Sequence, residues 1–231
     1  GLGAAGILGA VITTILSTRS VASPVSFIAR HRRESAASGK LHTIRTNDYQ
    51  IREIREMIQG FNRAAIAIRE GEDSLRRAYL QFVGSLASAV DARDPYTAGH
   101  SARVADLSCR IAVSLGFSSD EVSILRIGAL LHDVGKIGIP DKILGKPDRL
   151  DPAEFEVIKQ HPVIGRRILE GVHGFEPYLD IVELHHENWD GTGYPHGRAG
   201  EDVPLPVRIV HVADAYDAMT SDRPYRRGLS Q

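Results

Sequence analysis

Residues 131–140 read LHDVGKIGIP. Upstream, Leu125, Ala129 and His132 recur at steps of four and three, which places them on one helix face, with Asp133 adjacent and Gly135 expected to end the helix just beyond. A histidine and a carboxylate at a helix C-terminus suit a metal ion, yet a lone inward histidine is more often a hydrogen-bonded core residue. The surrounding sequence decides between the two. The apolar stripe Val104, Leu107, Ile111 and Leu115 places His100 one turn before an inward helix face. His161 follows Phe155 and Ile158 at three-residue steps, and His185, with His186 beside it, follows Ile181 and Val182 at four and three. Asp214 stands next to Ala213 at the end of the apolar run Val207, Ile209, Val210 and Val212. Burying seven such groups without a metal would cost several kcal/mol in desolvation and leave lone pairs unpaired.

The donor types narrow the metal. A single cysteine, Cys109, lies between Leu107 and Ile111 and reads as a small buried residue, so neither a disulfide framework nor a thiolate zinc site can be built. Imidazole with carboxylate favours iron or manganese, with nickel or zinc as the other options, in a catalytic rather than structural role. Seven donors exceed one ion's needs. With Asp133 bridging, one ion takes His100, His132, Asp133 and Asp214, and a second takes Asp133, His161, His185 and His186. Two divalent ions ~3.5 to 4 Å apart suit in-line displacement at phosphorus by a bridging hydroxide, so phosphodiester hydrolysis is the expected chemistry.

Composition sets the frame. The chain has 231 residues, 42% hydrophobic and 25% charged, enough for one or two packed domains and unlike a disordered, collagenous or disulfide-stapled chain. The net charge of −1 hides an asymmetry: residues 18–69 hold ten Lys/Arg against four Asp/Glu, a net +6, and residues 70–231 hold eighteen against twenty-five, a net −7. The basic stretch follows the uncharged LGAAGILGAVITTIL of residues 2–16, and Arg19, Arg30, Arg32 and Arg33 suit the inner, anionic face of a membrane. A nucleic acid polymer is a poor partner for the acidic remainder. A spanning helix needs ~20 residues, so the segment reads as the inner end of a transmembrane helix, with a buried soluble helix as the competing reading. No charged n-region precedes it, which argues against a signal peptide.

From Ile51 the apolar positions Ile54, Ile58, Phe61, Ala65, Ile68, Leu75, Tyr79, Phe82, Leu86 and Ala89 keep a heptad register broken only at Glu72. A helix that long needs a partner for its stripe, so a parallel dimer is expected; Gly71 with Glu72 and Asp73 is a candidate junction between two helices, and an amphipathic helix packed on its own domain is the alternative. Residues 18–69 resemble a HAMP linker, with Pro24 early in a first helix, Gly39-Lys40-Leu41 opening a connector and Phe61-Asn62 in the second. Asp48-Tyr49-Gln50-Ile51-Arg52 departs from the family pattern before that second helix. The resemblance implies a homodimeric parallel four-helix bundle.

Five ordered strings resemble the HD-GYP family of cyclic di-GMP phosphodiesterases: DPYTAGHSARV (94–104), LHDVGKIGIP (131–140), HPVIG (161–165), HHENWDGTGYP (185–195) and DAYDAMTSDRPYR (214–226). That resemblance implies an all-α, HD-superfamily helical metallohydrolase domain with two divalent metal ions. It makes ligands of His100, His132, Asp133, His161, His185, His186 and Asp214, and sets Lys136, Tyr194, Arg223 and Arg226 on the substrate phosphates. Tyr96 stands where some members carry a glutamate ligand to a third metal, which points to two ions, and Asn188 replaces a common arginine. The turn-rich loop with Gly191, Gly193 and Pro195 would present Tyr194 and could dock diguanylate cyclase (GGDEF) domains.

The expected organisation is the end of a transmembrane helix (1–17), a HAMP-like linker (18–69), a connecting signalling helix (70–86) and an HD-GYP domain from residue 87 to 231 that lacks the family's further C-terminal helices. The expected activity is hydrolysis of cyclic di-GMP to pGpG and on to GMP, by a homodimer at the cell inner membrane with its catalytic part in the cytoplasm. The rival is a cyclic di-GMP receptor that binds without cleaving.

Overall fold

The computed structural model describes residues 9–15, 18, 23–38, 43–44, 52–94 and 98–221. Among them every regular element is helical, apart from one isolated antiparallel bridge between Asp190 and Ala199. The Gly39-Lys40-Leu41 connector, the Asp48 to Ile51 stretch, Tyr96, Arg223 and Arg226 lie outside the described residues. No described helix is long and apolar enough to cross a membrane. The chain divides into two compact units, Gly1–Ala78 and Tyr79–Gln231.

In the first unit, helix α1 (Ser23–Ser38) contributes Ile28 to an apolar cluster with Ile44, Ile54, Ile58 and Phe61. Asn62 holds the segment at Ile44 from both sides. Its Oδ1 accepts from the Ile44 N–H and its Nδ2 donates to the Ile44 carbonyl, both at 2.7 Å. The pair satisfies both backbone groups of a residue that has no ladder of its own.

Helix α2 (Arg52–Arg93) is continuous through Gly71, Glu72 and Asp73, so no junction forms there. One glycine costs about 1 kcal/mol in a helix interior, too little to break 42 residues of mostly strong helix formers. The heptad seam splits along its length. Ile54, Ile58 and Ala65 of the seam are buried, whereas Ile68, Leu75 and Phe82, spaced by sevens, are exposed, Leu75 by 73%; toward the end of α2 the buried positions are Val83, Ala87 and Val90, one residue beyond the expected Phe82, Leu86 and Ala89.

The second unit adds α3 (His100–Ser114), α4 (Ser119–Leu131), the single turn α5 (Asp141–Leu144), α6 (Pro152–Ile158), α7 (His161–Leu169), α8 (Leu179–Leu184) and α9 (Leu205–Thr220). Helices α4 and α8 lie between two apolar clusters and supply both. Leu125, Ala129, Ile181 and Leu184 pack with Val104, Ala112, Val207, Val210 and Ala213 from α3 and α9. Ile127, Leu131, Leu179 and Val182 pack with Val83 and Val90 of α2 and with Leu169, Phe175 and Tyr178. A helix apolar all round belongs in the middle of a bundle. Its start is set by a capping box, in which Ser118 Oγ accepts from the Glu121 N–H and the Glu121 carboxylate accepts from the Ser118 N–H at 2.8 Å.

Two local expectations change. Helix α4 ends at Leu131 with His132 as its C-cap, and Gly135 does not end it but lies inside a 3-10 turn, Val134–Gly138. Nor does His161 continue the helix of Phe155 and Ile158; α6 stops at Ile158 and His161 opens α7. The reason for Gly135 is contact: a Cβ there would stand 1.8 Å from the His161 carbonyl oxygen and 2.5 Å from the Gly165 nitrogen. Backbone packs on backbone, and the turn carrying Asp133 is pressed against the start of α7. Gly135→Ala should therefore lower stability by about 3 kcal/mol or more. Thermal unfolding checks this, and an unchanged midpoint would contradict the packing.

Candidate metal centre

Four helix ends or starts and the interior of a fifth helix bring the predicted side chains together. His100 is the first residue of α3, His132 caps α4, His161 opens α7, His185 caps α8 with His186 beside it, and Asp214 lies within α9. They form two donor groups whose ligand-type atoms lie within 4.8 Å of one another: Asp133, His161, His185 and His186, and His100, His132 and Asp214. Asp133 stands between them. Its Oδ1 is 3.2 Å from His161 Nε2, and its Oδ2 is 3.5 Å from His132 Nε2 and 4.0 Å from His100 Nε2. His100 Nε2 also lies 3.2 Å from Asp214 Oδ1.

The outward ring nitrogens explain the inward ones. His132, His161 and His185 each donate Nδ1–H to the carbonyl three residues earlier, Ala129, Ile158 and Val182, at 2.6, 2.8 and 2.9 Å. His100 Nδ1 instead meets Asp217 Oδ2 at 2.8 Å. With Nδ1 donating outward, the rings of His132, His161 and His185 turn their Nε2 atoms to the centre, the kind of outer hydrogen bond that orients metal-binding histidines. His132 Nε2 is buried and without a hydrogen-bond partner, and His161 Nε2 faces His185 Nε2 at 3.2 Å. Converging lone pairs in a sealed site are what a cation would satisfy, so the residues fit divalent metal ions.

Charge follows the same logic. Burial and the neighbouring histidines push His185 well below the usual imidazole range and His186 down to about 3, so both are neutral donors. Burial also penalises the Asp133 carboxylate, but Lys136 and the histidines outweigh it and hold Asp133 ionised. Asp214, buried and bonded to His100, is held at about 2. Burial works against charge on His100, yet the hydrogen bonds its ring donates to Asp214 and Asp217 lift it to about 9 when no cation competes for its Nε2. Lys136 Nζ bridges Asp133 Oδ2 at 2.8 Å and Asp94 Oδ2 at 3.1 Å.

Tyr194 also arrives at the centre. Its ring stacks on His186 with centroids 4.7 Å apart, and burial with the charges of Asp133 and Asp214 raises its hydroxyl pKa. Gly193 permits this. A Cβ there would lie 2.3 Å from the Asn188 nitrogen and 2.5 Å from the His186 carbonyl oxygen, so only glycine lets the loop fold back onto the histidine pair.

Three contributors are absent from the sequence reading. Asp217 bonds His100 and is itself gripped by Arg103 through Oδ1 at 2.6 Å and Oδ2 at 3.0 Å. Asp94 pairs with Lys136. Glu187, 2% exposed, accepts the backbone N–H groups of His196 and Arg198 at 2.7 and 3.0 Å and so fastens the loop that carries Tyr194. The i, i+3 spacing of Asp214 and Asp217 could have revealed the first; nothing local marks the other two.

A family profile described as HD domain matches residues 85–231. The chain belongs to the HD domain family. The chain is 49% identical over 138 residues to a protein of Thermotoga maritima named cyclic di-GMP phosphodiesterase, covering 58% of this chain and 37% of that one. A Vibrio cholerae protein named 3'3'-cGAMP-specific phosphodiesterase 3 is 42% identical over 153 residues, 66% of this chain and 33% of its own. A second Vibrio cholerae protein, named cyclic di-GMP phosphodiesterase, is 32% identical over 242 residues, covering 97% of this chain and 49% of its own. The chain thus spans between a third and a half of these relatives.

The orphaned His132 Nε2 makes that residue the sharpest test of the HD domain centre. His132→Ala should keep the far-ultraviolet circular dichroism of the parent while bound metal, measured by elemental analysis, falls to less than half. A variant retaining the parental metal content would remove His132 from the donor set.

Proposed function

We propose that this chain is a metal-dependent cyclic dinucleotide phosphodiesterase of the HD-GYP type that cuts cyclic di-GMP to pGpG and then to GMP. The observation that carries the reading is the convergence of seven side chains from five helices into two adjoining donor groups joined at Asp133. Iron or manganese best suits this oxygen and imidazole set, with nickel and zinc as alternatives. Bound there, divalent ions would neutralise charge building on the phosphodiester and generate a nucleophile from water at neutral pH.

The chain's own residues do the rest. Asp133 links the two donor groups, and Lys136, paired with it at 2.8 Å, offsets its charge. The outward Nδ1 hydrogen bonds hold the imidazoles in one tautomer and orientation. Tyr194, kept protonated, offers its hydroxyl as a donor to a phosphate oxygen. Arg223 and Arg226 are assigned to the far side of the substrate, where a planar guanidinium grips phosphate oxygens in pairs.

The exposed seven-residue stripe Ile68, Leu75 and Phe82 supports a parallel homodimer through α2. Residues 1–17 read as the inner end of a membrane anchor and 18–69 as a HAMP-like relay, with the catalytic part in the cytoplasm. Trp189, 61% exposed beside the Gly193-Tyr194 turn, offers a contact for a GGDEF domain.

The name of one relative favours a second substrate, 3'3'-cGAMP, cut by the same chemistry. Incubating the manganese-loaded chain with each dinucleotide and resolving products chromatographically separates the readings. The expected outcome is pGpG followed by GMP from cyclic di-GMP. A ligand that binds and is recovered intact would make the chain a receptor. Arg223→Ala should raise KM about tenfold and leave kcat nearly unchanged, which steady-state kinetics checks.

A further inference from the structure

The last turn of α2 reaches the metal centre through three residues, Asp91, Arg93 and Asp94. Asp91 accepts the Ser101 N–H at 3.2 Å and the Ser101 hydroxyl at 2.7 Å, immediately beside His100. Asp94 pairs with Lys136 at 3.1 Å. Arg93 does something different in kind: its Nη1 donates to the carbonyls of Lys136 at 3.3 Å and Ile137 at 2.9 Å, and its Nη2 to that of Ile139 at 3.2 Å. The fork also meets the Asp141 carboxylate.

Those carbonyls belong to the end of the 3-10 turn Val134–Gly138 and the residue after it, where a short helix carries partial negative charge. One guanidinium reaches all three at once, adding to the Ile139 N–H that the Lys136 carbonyl already accepts at 3.0 Å, which a single ammonium cannot do in fixed geometry. The turn so held begins immediately after Asp133 and includes Lys136, whose Nζ contacts Asp133 Oδ2 at 2.8 Å. The Asp141 side chain is 84% exposed, so solvent screening leaves the ion pair on its own worth little. The carbonyl contacts are therefore what Arg93 supplies.

We propose that Arg93 is a positioning residue for the metal centre: it clamps the backbone of the turn that presents Asp133 and Lys136 to the two donor groups. The proposal rests on the reading in which those groups hold metal ions. Because Asp91, Arg93 and Asp94 share one helix end, a shift of that end moves the start of α3, the turn and Lys136 together.

The test is titration of Mn2+ into the metal-free chain by calorimetry, with steady-state kinetics and thermal melts alongside, for the parent, Arg93→Ala, Arg93→Lys and Asp141→Asn. Arg93→Ala is expected to weaken Mn2+ binding about 10- to 100-fold and lower kcat, with KM for the dinucleotide nearly unchanged and the melting midpoint lowered by only a few degrees. Arg93→Lys should recover part of the loss, and Asp141→Asn should stay within about twofold of the parent. Binding by Arg93→Ala within twofold of the parent overturns the proposal. Should that variant not fold, parental affinity in Arg93→Lys overturns it equally. Asp141→Asn reproducing the full loss would move the effect to the surface pair and also overturn it. A parent that binds no Mn2+ refutes the metal-centre reading, a separate result.

Discussion

Asp133 is a carboxylate only 5% exposed that stays ionised, and the HD domain is arranged around keeping it so. A buried charge of that kind is costly unless opposite charge and hydrogen-bond donors surround it. Lys136 supplies one full positive charge, and His161, His132 and His100 approach from the other sides. Their inward Nε2 atoms and Asp133 itself line the centre with electron-pair donors. Such an arrangement is stabilised by cations, which satisfy electron pairs that otherwise repel one another.

The fold makes this possible by sending its two most buried helices into the site end-first. Helices α4 and α8 each carry apolar side chains on opposite faces, and their C-caps are His132 and His185. A helix C-terminus concentrates partial negative charge, which adds to the attraction for a cation near α4. The backbone contact between Gly135 and the His161 carbonyl locks the turn after Asp133 to the start of α7. Rigidity of the donor set thus comes from packing at glycines and from helix caps rather than from any one ion pair.

Much of this was legible in the chain. The three-and-four spacing of Leu125, Ala129 and His132 pointed His132 inward, and it is buried at the helix C-cap; the structure gathers His161, His185 and His186 with Asp133, and His100 and His132 with Asp214. What was not legible was backbone detail. Phe155, Ile158 and His161 keep a helical spacing although a break falls between α6 and α7, because spacing cannot report a change of helix axis. Gly135 looked like a helix stop and is a contact point, a distinction set by α7 thirty residues later. Asp217, Glu187 and Arg93 act on backbone or ring nitrogens through contacts that no local pattern encodes. The seam of α2 was read as a single stripe, yet Val83, Ala87 and Val90 turn inward while Leu75 and Phe82 face out, since the second unit claims its own face of the helix.

The central claim is that Asp133 joins two cation sites into one centre. Electron paramagnetic resonance of the chain loaded with two equivalents of Mn2+ tests it most directly, because neighbouring ions that share a carboxylate couple magnetically. A spectrum of an exchange-coupled pair is the predicted result. Six-line signals of isolated, uncoupled Mn2+ would contradict it.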